Sequence, residues 1–202
     1  MDETLVNKQT SKECILESAL NLFCQKGYSG AGINEIATES GITKPTLYYY
    51  FKSKEGLYRS MWDKNFIPLL DKLSVSTKYE NNSSEYEKDV FPVLCNVVKS
   101  FFEYAEKNTR FYFHALAILI SSEDNDARTT GTAYFADAFL LLREMFEKMG
   151  EAHGQIKDHG YQLAITFFGM INAYLSCWRI NQKELTDETI KALVKQFMHG
   201  IF

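Results

Sequence analysis

Apolar residues along this chain recur mostly at intervals of three and four, the spacing of helices that bury one face. Proline occurs only three times, so few positions interrupt such helices. The pattern therefore predicts an all-α protein. The expected helices cover residues of about 10–27, 33–40, 44–51, 54–73, 85–107, 109–122, 127–149, 158–181 and 187–200.

Short polar residues mark where several of these helices begin. We expect capping boxes at Thr10 with Glu13 and at Ser84 with Glu87, and single N-caps at Thr43 and Ser53. Pro45 suits a first helical turn, and Gly27 can end the first helix because glycine accepts positive φ. The segments "SSEDND" and "GEAHGQIKDHG" are predicted to be connecting loops.

The longest apolar stretch, residues 161–178, has 18 residues without a charge and comes near the length needed to cross a bilayer. Gln162, Thr166, Asn172 and Ser176 interrupt it, which favours a helix buried on more than one side over a membrane span. The first residues are polar, and the four cysteines include no close pair of metal-ligand spacing. We expect reduced thiols in a cytoplasmic protein with no membrane partner.

The segment "GITKPTLYYYFKSK" combines three tyrosines with lysines in a chain whose net charge is -4. Residues 42–59 carry four basic residues and one acidic residue, so the charge is locally positive where the chain as a whole is acidic. Leu47 and Phe51 are four apart and would anchor a helix, leaving Lys44 and Tyr48 on another face. That face suits the major groove of DNA, because a tyrosine hydroxyl can bond with phosphate while its ring packs on sugar or a thymine methyl. The alternative is a small aromatic core with solvated lysines.

Residues 15–58 contain the ordered pieces "ALNLFCQKGY", "INEIA" and "GITKPTLYYYFKSKEGL". Together they closely resemble the N-terminal domain of the tetracycline-repressor (TetR/AcrR-type) family of bacterial transcription regulators. The resemblance implies a helix-turn-helix DNA-binding domain at 1–56, with the motif at about 32–51. It also implies a larger helical domain at 57–202 that binds a small molecule and dimerises.

The family's DNA contacts carry over by position to this chain. They fall on Asn34, Thr43, Lys44, Pro45, Thr46, Tyr48, Tyr49 and Lys54. Two departures are Gly32, where the family often has a capping serine or threonine, and Gly56, where many members have glutamate. Gly32 can still cap moderately well, whereas Gly56 would leave the fourth helix less firm.

Aromatic residues reach 14% of the chain and are concentrated after residue 56, where the resemblance implies an effector site. We expect a large apolar cavity for a flat hydrophobic or aromatic ligand, although for any one of these residues an ordinary core position is the favoured interpretation. The predicted lining is Trp62, Phe66, Phe101, Tyr104, Phe113, His114, Phe135, Phe139, Phe168 and Asn172. His153 and His159 have a weak metal spacing, and loop histidines are the favoured interpretation.

The two last helices are expected to form the contact between two copies of the chain. One helix presents Met170, Tyr174 and Trp178 (with Cys177 beside them), and the other presents Leu193, Val194, Phe197, Met198 and Ile201.

These features and the resemblance together predict a homodimeric repressor that binds a palindromic double-stranded DNA operator. The resemblance implies that a small apolar or aromatic effector releases it from DNA. A ligand-independent DNA-binding protein or activator of the same fold is the alternative. An enzyme acting on an apolar compound is a more remote one, because the sequence shows no nucleophile–base pair, metal cluster or phosphate loop. We expect no catalytic residues, no metal and no cofactor.

Overall fold

A computed structural model describes residues 3–81, 85–121, 126–181 and 184–200. Within these residues every regular element is a helix, which confirms the all-α class. The elements are α1 (Glu3–Gly30), α2 (Ile33–Glu39), α3 (Lys44–Phe51), α4 (Lys54–Ser76), α5 (Tyr86–Lys107), α6 (Thr109–Leu119), α7 (Asp126–Ala152), a 3-10 turn (Gly154–Ile156), α8 (Gly160–Asn181) and α9 (Asp187–His199).

The chain divides into two compact units. The first comprises the residues up to Ile67 together with Arg110–Ala133, and the second comprises Pro68–Thr109 and the residues from Tyr134 onwards. The division falls inside α4, whose helix continues through Pro68. The expected boundary between residues 56 and 57 separates domains by function, a DNA-binding domain from an effector-binding domain. It stays a prediction.

The first unit is built around apolar side chains that repeat every three or four residues along its helices. Those with no exposed surface include Ile15, Ala19, Phe23, Ile36, Leu47 and Leu57. Trp62 of α4 and Phe111 of α6 pack edge to face, with ring centroids 5.1 Å apart, and extend this core.

The second unit has its own core. Its fully buried residues include Leu73, Val97, Val98, Phe101, Leu142, Phe167, Ile171, Leu193 and Val194. Three rings join α7, α8 and α9, because Phe167 lies 5.7 Å from Phe146 and 4.7 Å from Phe197 between ring centroids.

The first helix differs from its prediction at both ends. α1 begins at Glu3 rather than near Thr10, so the predicted cap at Thr10 is wrong. Residues 3–9 contain neither glycine nor proline, and nothing in them ends the helix early. Gly27 has the expected positive φ of 71°, but helical bonding resumes beyond it as far as Gly30. Ser84 lies outside the described residues.

The connection between α7 and α8 is shorter than the predicted loop at 150–160. α7 runs to Ala152, and Gly154–Ile156 form a 3-10 turn before α8 begins at Gly160. Gly150 lies so close to residues 156 and 157 that a Cβ there would sit 3.1 Å from the Lys157 Cα. This close approach explains why the turn is compact.

The longest apolar helix, α8, is long and apolar enough by length and composition to cross a membrane. Within the subunit it is buried along one face, through Ala164, Phe167, Ile171 and Leu175. The expectation of burial on more than one side is therefore not met inside a single subunit.

Candidate nucleic-acid interface

The short helix α3 has the start and the end that its sequence predicts. The Thr43 hydroxyl oxygen accepts a hydrogen bond from the Thr46 amide at 3.4 Å, which satisfies one of the first-turn donors that a helix leaves open. Pro45 lies in the same turn, where its missing N–H costs nothing. Ser53 caps α4 similarly, since its hydroxyl accepts from the Gly56 amide at 2.9 Å.

The two faces of α3 differ sharply in exposure. Leu47 is 0% exposed and Phe51 is 4% exposed, so both are held in the core of the first unit. Tyr48 is 37% exposed and Tyr49 is 63% exposed on the other side. The helix is thus anchored by the pair expected from the sequence and presents two aromatic rings outwards.

Positive charges accompany both exposed rings. The Lys44 ammonium lies 5.9 Å from the centre of the Tyr48 ring, and the Lys52 ammonium lies 5.6 Å from that of Tyr49. Lys52 also donates a hydrogen bond to the Tyr49 carbonyl oxygen at 3.2 Å. Lys52 was absent from the predicted contacts, although its positive charge next to the tyrosine run was visible in the sequence. An aromatic and cationic surface of this kind suits a polyanion with apolar sugar and base edges.

The other predicted contacts occupy neighbouring positions of the same unit. Asn34, Thr43, Lys44 and Pro45 are exposed, and Thr46 is half-buried. The Thr43 and Thr46 hydroxyls lie 2.9 Å apart.

Lys54 is placed differently from the exposed contacts. Its ammonium lies 4.8 Å from the centre of the Tyr28 ring and donates to the Ser29 carbonyl oxygen at 3.4 Å. Burial lowers the pKa of Lys54. This side chain therefore stabilises the subunit as well as carrying charge at the start of α4.

Polar contacts tie α1 to α6 and the start of α7. The Arg110 guanidinium donates to the Asn21 side-chain oxygen and lies 3.5 Å from the Glu17 carboxylate. The Cys24 thiol donates to the Arg110 carbonyl oxygen at 3.9 Å, and burial raises the pKa of Cys24 to about 11. Tyr28 hydrogen-bonds with Asp126, and burial together with this carboxylate raises the pKa of Tyr28.

A buried histidine of α6, His114, contacts α4. The Tyr58 hydroxyl is 3.3 Å from Nε2 of His114, and burial lowers the pKa of His114 to about 4. The imidazole is therefore neutral at pH 7 and can accept a hydrogen bond from Tyr58. Burial also raises the pKa of Tyr58, so this pair stays uncharged.

The residues predicted to line an effector cavity are divided between the two units. Trp62, Phe66, Phe113 and His114 belong to the first, and Phe101, Tyr104, Phe135, Phe139, Phe168 and Asn172 belong to the second. In the first unit Trp62 and Phe66 lie 5.6 Å apart between ring centroids.

In the second unit the Phe168 ring lies 6.0 Å from each of Phe101 and Phe135, again between centroids. Asn172 donates its side-chain amide to the Phe168 carbonyl oxygen at 2.8 Å. Phe139 packs on Tyr161 at 5.4 Å. Their assignment to an effector site stays a prediction, since these contacts are equally those of a packed core.

The residues predicted for a dimer contact have unequal exposure. Leu193 and Val194 are fully buried inside the subunit and leave no surface for a second copy, because α9 packs that face on its own core. Met170, Tyr174, Trp178, Phe197 and Met198 are half-buried. Ile201 lies outside the described residues. The exposed apolar side chains of α8 are Tyr161, Ile165, Ala173, Cys177 and Ile180.

Comparison with known proteins identifies the helix-turn-helix unit. Residues 15–61, which contain α2, α3 and the start of α4, match the family described as bacterial regulatory proteins, tetR family. These residues are thus similar to the N-terminal DNA-binding domain of that family. The regulator YuxN of Bacillus subtilis is 37% identical over 92 residues, which cover 44% of this chain and 31% of YuxN. The biofilm operon negative regulator IcaR of Staphylococcus aureus is 30% identical over 102 residues, covering 50% of this chain and 51% of IcaR.

The chain spans at most about half the length of these curated relatives. The similarity of fold extends further than that of sequence. The structure of FadR from Bacillus subtilis in complex with stearoyl-CoA superimposes with a TM-score of 0.71 and 18% identity, covering 94% of this chain and 99% of that one. At this identity the likeness concerns the fold of the helical protein, including the region after residue 61.

Proposed function

We infer that this chain is a DNA-binding transcriptional repressor of the TetR family that acts as a homodimer in the cytoplasm and responds to a small apolar effector. The observation that carries the inference is the two-sided α3. Leu47 and Phe51 fix it in the core of the first unit, while Tyr48, Tyr49 and their lysines face outwards. This helix is the second of a helix-turn-helix, the element that enters the major groove.

The proposed contacts divide by chemistry. Tyr48 and Tyr49 would pack on sugars and base edges, whereas Lys44 and Lys52 would neutralise phosphates. The chain's net charge of -4 does not oppose this, since binding follows the local field around α3. The negative regulator IcaR supports repression as the direction of control.

A homodimer is supported by the outward face of α8. Tyr161, Ile165, Gly169, Ala173, Cys177 and Ile180 follow at steps of three or four residues and form one apolar stripe, here called the α8 stripe. Exposed apolar stripes of this length are uncommon on monomers and common at contacts between identical subunits. Ala173 near its middle is small and would let two α8 helices approach closely.

An apolar effector is supported by the aromatic content of the second unit and by the likeness to FadR, which was solved with stearoyl-CoA. Because α4 belongs to both units, we propose that effector binding shifts α4 and so changes the spacing of two reading helices. A coupling of about 1–3 kcal/mol suffices for such a response.

The test is a selection of DNA ligands from a random duplex library with the full chain, followed by fluorescence anisotropy. We expect an approximately palindromic site whose half-sites lie about one helical turn apart. Addition of stearoyl-CoA, or of shorter acyl-CoA species in separate arms, should lower the affinity for that site. If no selected duplex binds more tightly than random DNA, the proposal is wrong. If a site is selected but no acyl-CoA alters its binding, the effector class is wrong and the DNA-binding function stands.

A further inference from the structure

The second unit contains a cavity that none of the predicted effector residues lines. It has a volume of about 450 Å³ and is bordered by the start of α5, the end of α7, the 3-10 turn, the start of α8 and the end of α9. Its apolar walls are Val90, Leu94, Phe146, Ile156, Leu163, Phe197 and Met198. Small-molecule sites have volumes of about 300–1,000 Å³, and this cavity falls in that range.

The cavity is partly open to solvent rather than sealed inside the unit. The helices around this cavity are otherwise closely packed. Phe146 and Phe197 lie 5.7 Å apart between centroids, and a Cβ on Gly160 would come within 2.7 Å of the Glu147 Cγ. The helices that border the cavity are therefore closely packed, although the cavity between them is empty of side chains.

The cavity lining also includes a polar side chain, His153, which contacts a buried carboxylate. His153 lines the space, and its Nε2 lies 2.9 Å from Oδ2 of Asp89. The Asp89 side chain is only 2% exposed, and the Tyr79 hydroxyl donates to the same carboxylate oxygen. Burial and the Asp89 charge raise the pKa of Tyr79, so its hydroxyl remains a donor.

This arrangement orients the imidazole. A buried carboxylate is stabilised by donors and by a cation, and His153 supplies both when it is protonated. Its side chain is 16% exposed. Among the described residues, no hydrogen-bond partner is seen for Nδ1, the nitrogen that Asp89 does not use. A molecule in the cavity can therefore bond with His153 through that atom.

We propose that this cavity binds an apolar carboxylic acid, whose carboxylate accepts a hydrogen bond from His153 while its hydrocarbon part contacts the apolar walls. A protonated imidazole between Asp89 and the bound carboxylate donates one N–H to each. Alcohols and esters of the same hydrocarbon fill the same space but bring no negative charge. The site is a property of the second unit and does not depend on whether the chain binds DNA.

The test is isothermal titration calorimetry of the full chain with octanoate, methyl octanoate and 1-octanol, without DNA. We expect saturable binding of one octanoate per chain, at least about tenfold tighter than that of either neutral compound. Replacing His153 by asparagine should weaken octanoate binding by about tenfold or more and leave 1-octanol binding unchanged. A merely structural role for His153 would instead weaken both compounds equally.

A matched pair of variants on α9 tests the location. Met198 lines the cavity, and Met198→Trp should project a larger side chain into it and weaken binding of all three compounds. Lys195 is exposed on the same helix, and Lys195→Trp should leave binding unchanged. Circular dichroism would establish that each variant is folded, and this pair decides the location if His153→Asn does not fold. The proposal is overturned if the wild type does not bind octanoate, or if Met198→Trp binds it as tightly as the wild type.

Discussion

Ser53 donates its backbone N–H to the carbonyl oxygen of Phe51 across 2.7 Å, closing a three-residue turn around Lys52. Lys52 has φ 65° and ψ -40°, near the positive-φ γ-turn that is rare and strained for residues with a side chain. An ideal Cβ on Gly56 would overlap the same Phe51 oxygen. The link between α3 and α4 therefore requires a residue without a side chain at position 56.

Replacing Gly56 by alanine should destabilise the protein. The new Cβ meets a backbone oxygen rather than the end of a flexible side chain, so either the turn or the start of α4 must shift. We expect the free energy of unfolding to fall by about 1–3 kcal/mol, measured by urea denaturation followed by circular dichroism.

The control for this prediction is Gly30→Ala. A Cβ on Gly30 would meet only the Lys26 Cβ, at the ordinary distance of 3.4 Å, so its stability should change by less than about 1 kcal/mol. Equal stability of Gly56→Ala and the wild type would show that the turn accommodates a side chain.

Lys52 gives a second prediction about the same turn. Glycine adopts positive φ without strain, whereas alanine retains the clash that lysine has now. Lys52→Gly should therefore be more stable than Lys52→Ala by up to about 1 kcal/mol in the same denaturation experiment. Both variants lose the lysine ammonium, so the difference between their stabilities reports only the backbone conformation at position 52. The opposite order would mean that the turn has an ordinary φ in solution.

Position 56 illustrates what the sequence could and could not predict. The bounds of α3, its cap at Thr43 and its buried pair Leu47 and Phe51 follow from local spacing and capping chemistry, and the structure confirms them. Gly56 was interpreted as a weaker start of α4. The structure shows that glycine is required at position 56 because a Cβ would overlap the Phe51 carbonyl oxygen. The position of that oxygen depends on how α3 and α4 are joined, which the sequence does not specify.

The second unit shows a further limit. Periodicity predicts that α9 has an apolar face but cannot say what covers it, and so Leu193 and Val194 were assigned to a dimer contact although they lie in the subunit core. His153 was considered only as a loop residue or a weak metal ligand. Its partner Asp89 is 64 residues away along the chain, a separation over which sequence spacing predicts no pairing.

The buried His114 predicts a loss of stability in mild acid. In the unfolded chain a histidine takes up a proton near pH 6.5, whereas burial lowers the pKa of His114 to about 4. The unfolded state therefore binds more protons between these values. The contribution of His114 is fully present above about pH 6.5 and is lost as the pH falls towards 4.

We expect this group to reduce the free energy of unfolding by about 2 kcal/mol between pH 7 and pH 5, measured by urea denaturation at each pH. His114→Gln should show a drop smaller by that amount. His159→Gln, at an exposed position, should show the drop of the wild type. The same pH dependence in His114→Gln and wild type would contradict a buried neutral imidazole.

If the α8 stripe forms the contact between two subunits, a charged residue introduced there should prevent dimerisation. Ala173 is exposed near the middle of the stripe, and Ala173→Arg would place a cation at the proposed contact between two copies. We expect sedimentation velocity to show a dimer for the wild type and a monomer for this variant. Ala136→Arg makes the same change at an exposed position of α7 and should remain dimeric. A dimeric Ala173→Arg would place the subunit contact elsewhere.

The exposed face of α3 is proposed to contact DNA, and substitutions at Lys44 and Tyr48 should change DNA affinity in two different ways. Lys44 is proposed to contact phosphate, so Lys44→Ala should weaken binding to the selected site and to random DNA alike and reduce the salt slope by about one. Tyr48 is proposed to contact sugar and base edges, so Tyr48→Ala should weaken the selected site by about tenfold and random DNA much less. Fluorescence anisotropy at several salt concentrations measures both.

Two further variants separate the causes. Tyr48→Phe retains the ring and should keep the packing contribution while losing any bond made by the hydroxyl. Lys148→Ala removes an exposed lysine of α7 in the second unit and should leave both the affinity and the salt slope unchanged. Because Tyr48 and Lys44 are exposed, their replacement leaves the core pair Leu47 and Phe51 in place, and circular dichroism should show unaltered folding. Undiminished affinity in both Lys44→Ala and Tyr48→Ala would mean that α3 does not read DNA through this face.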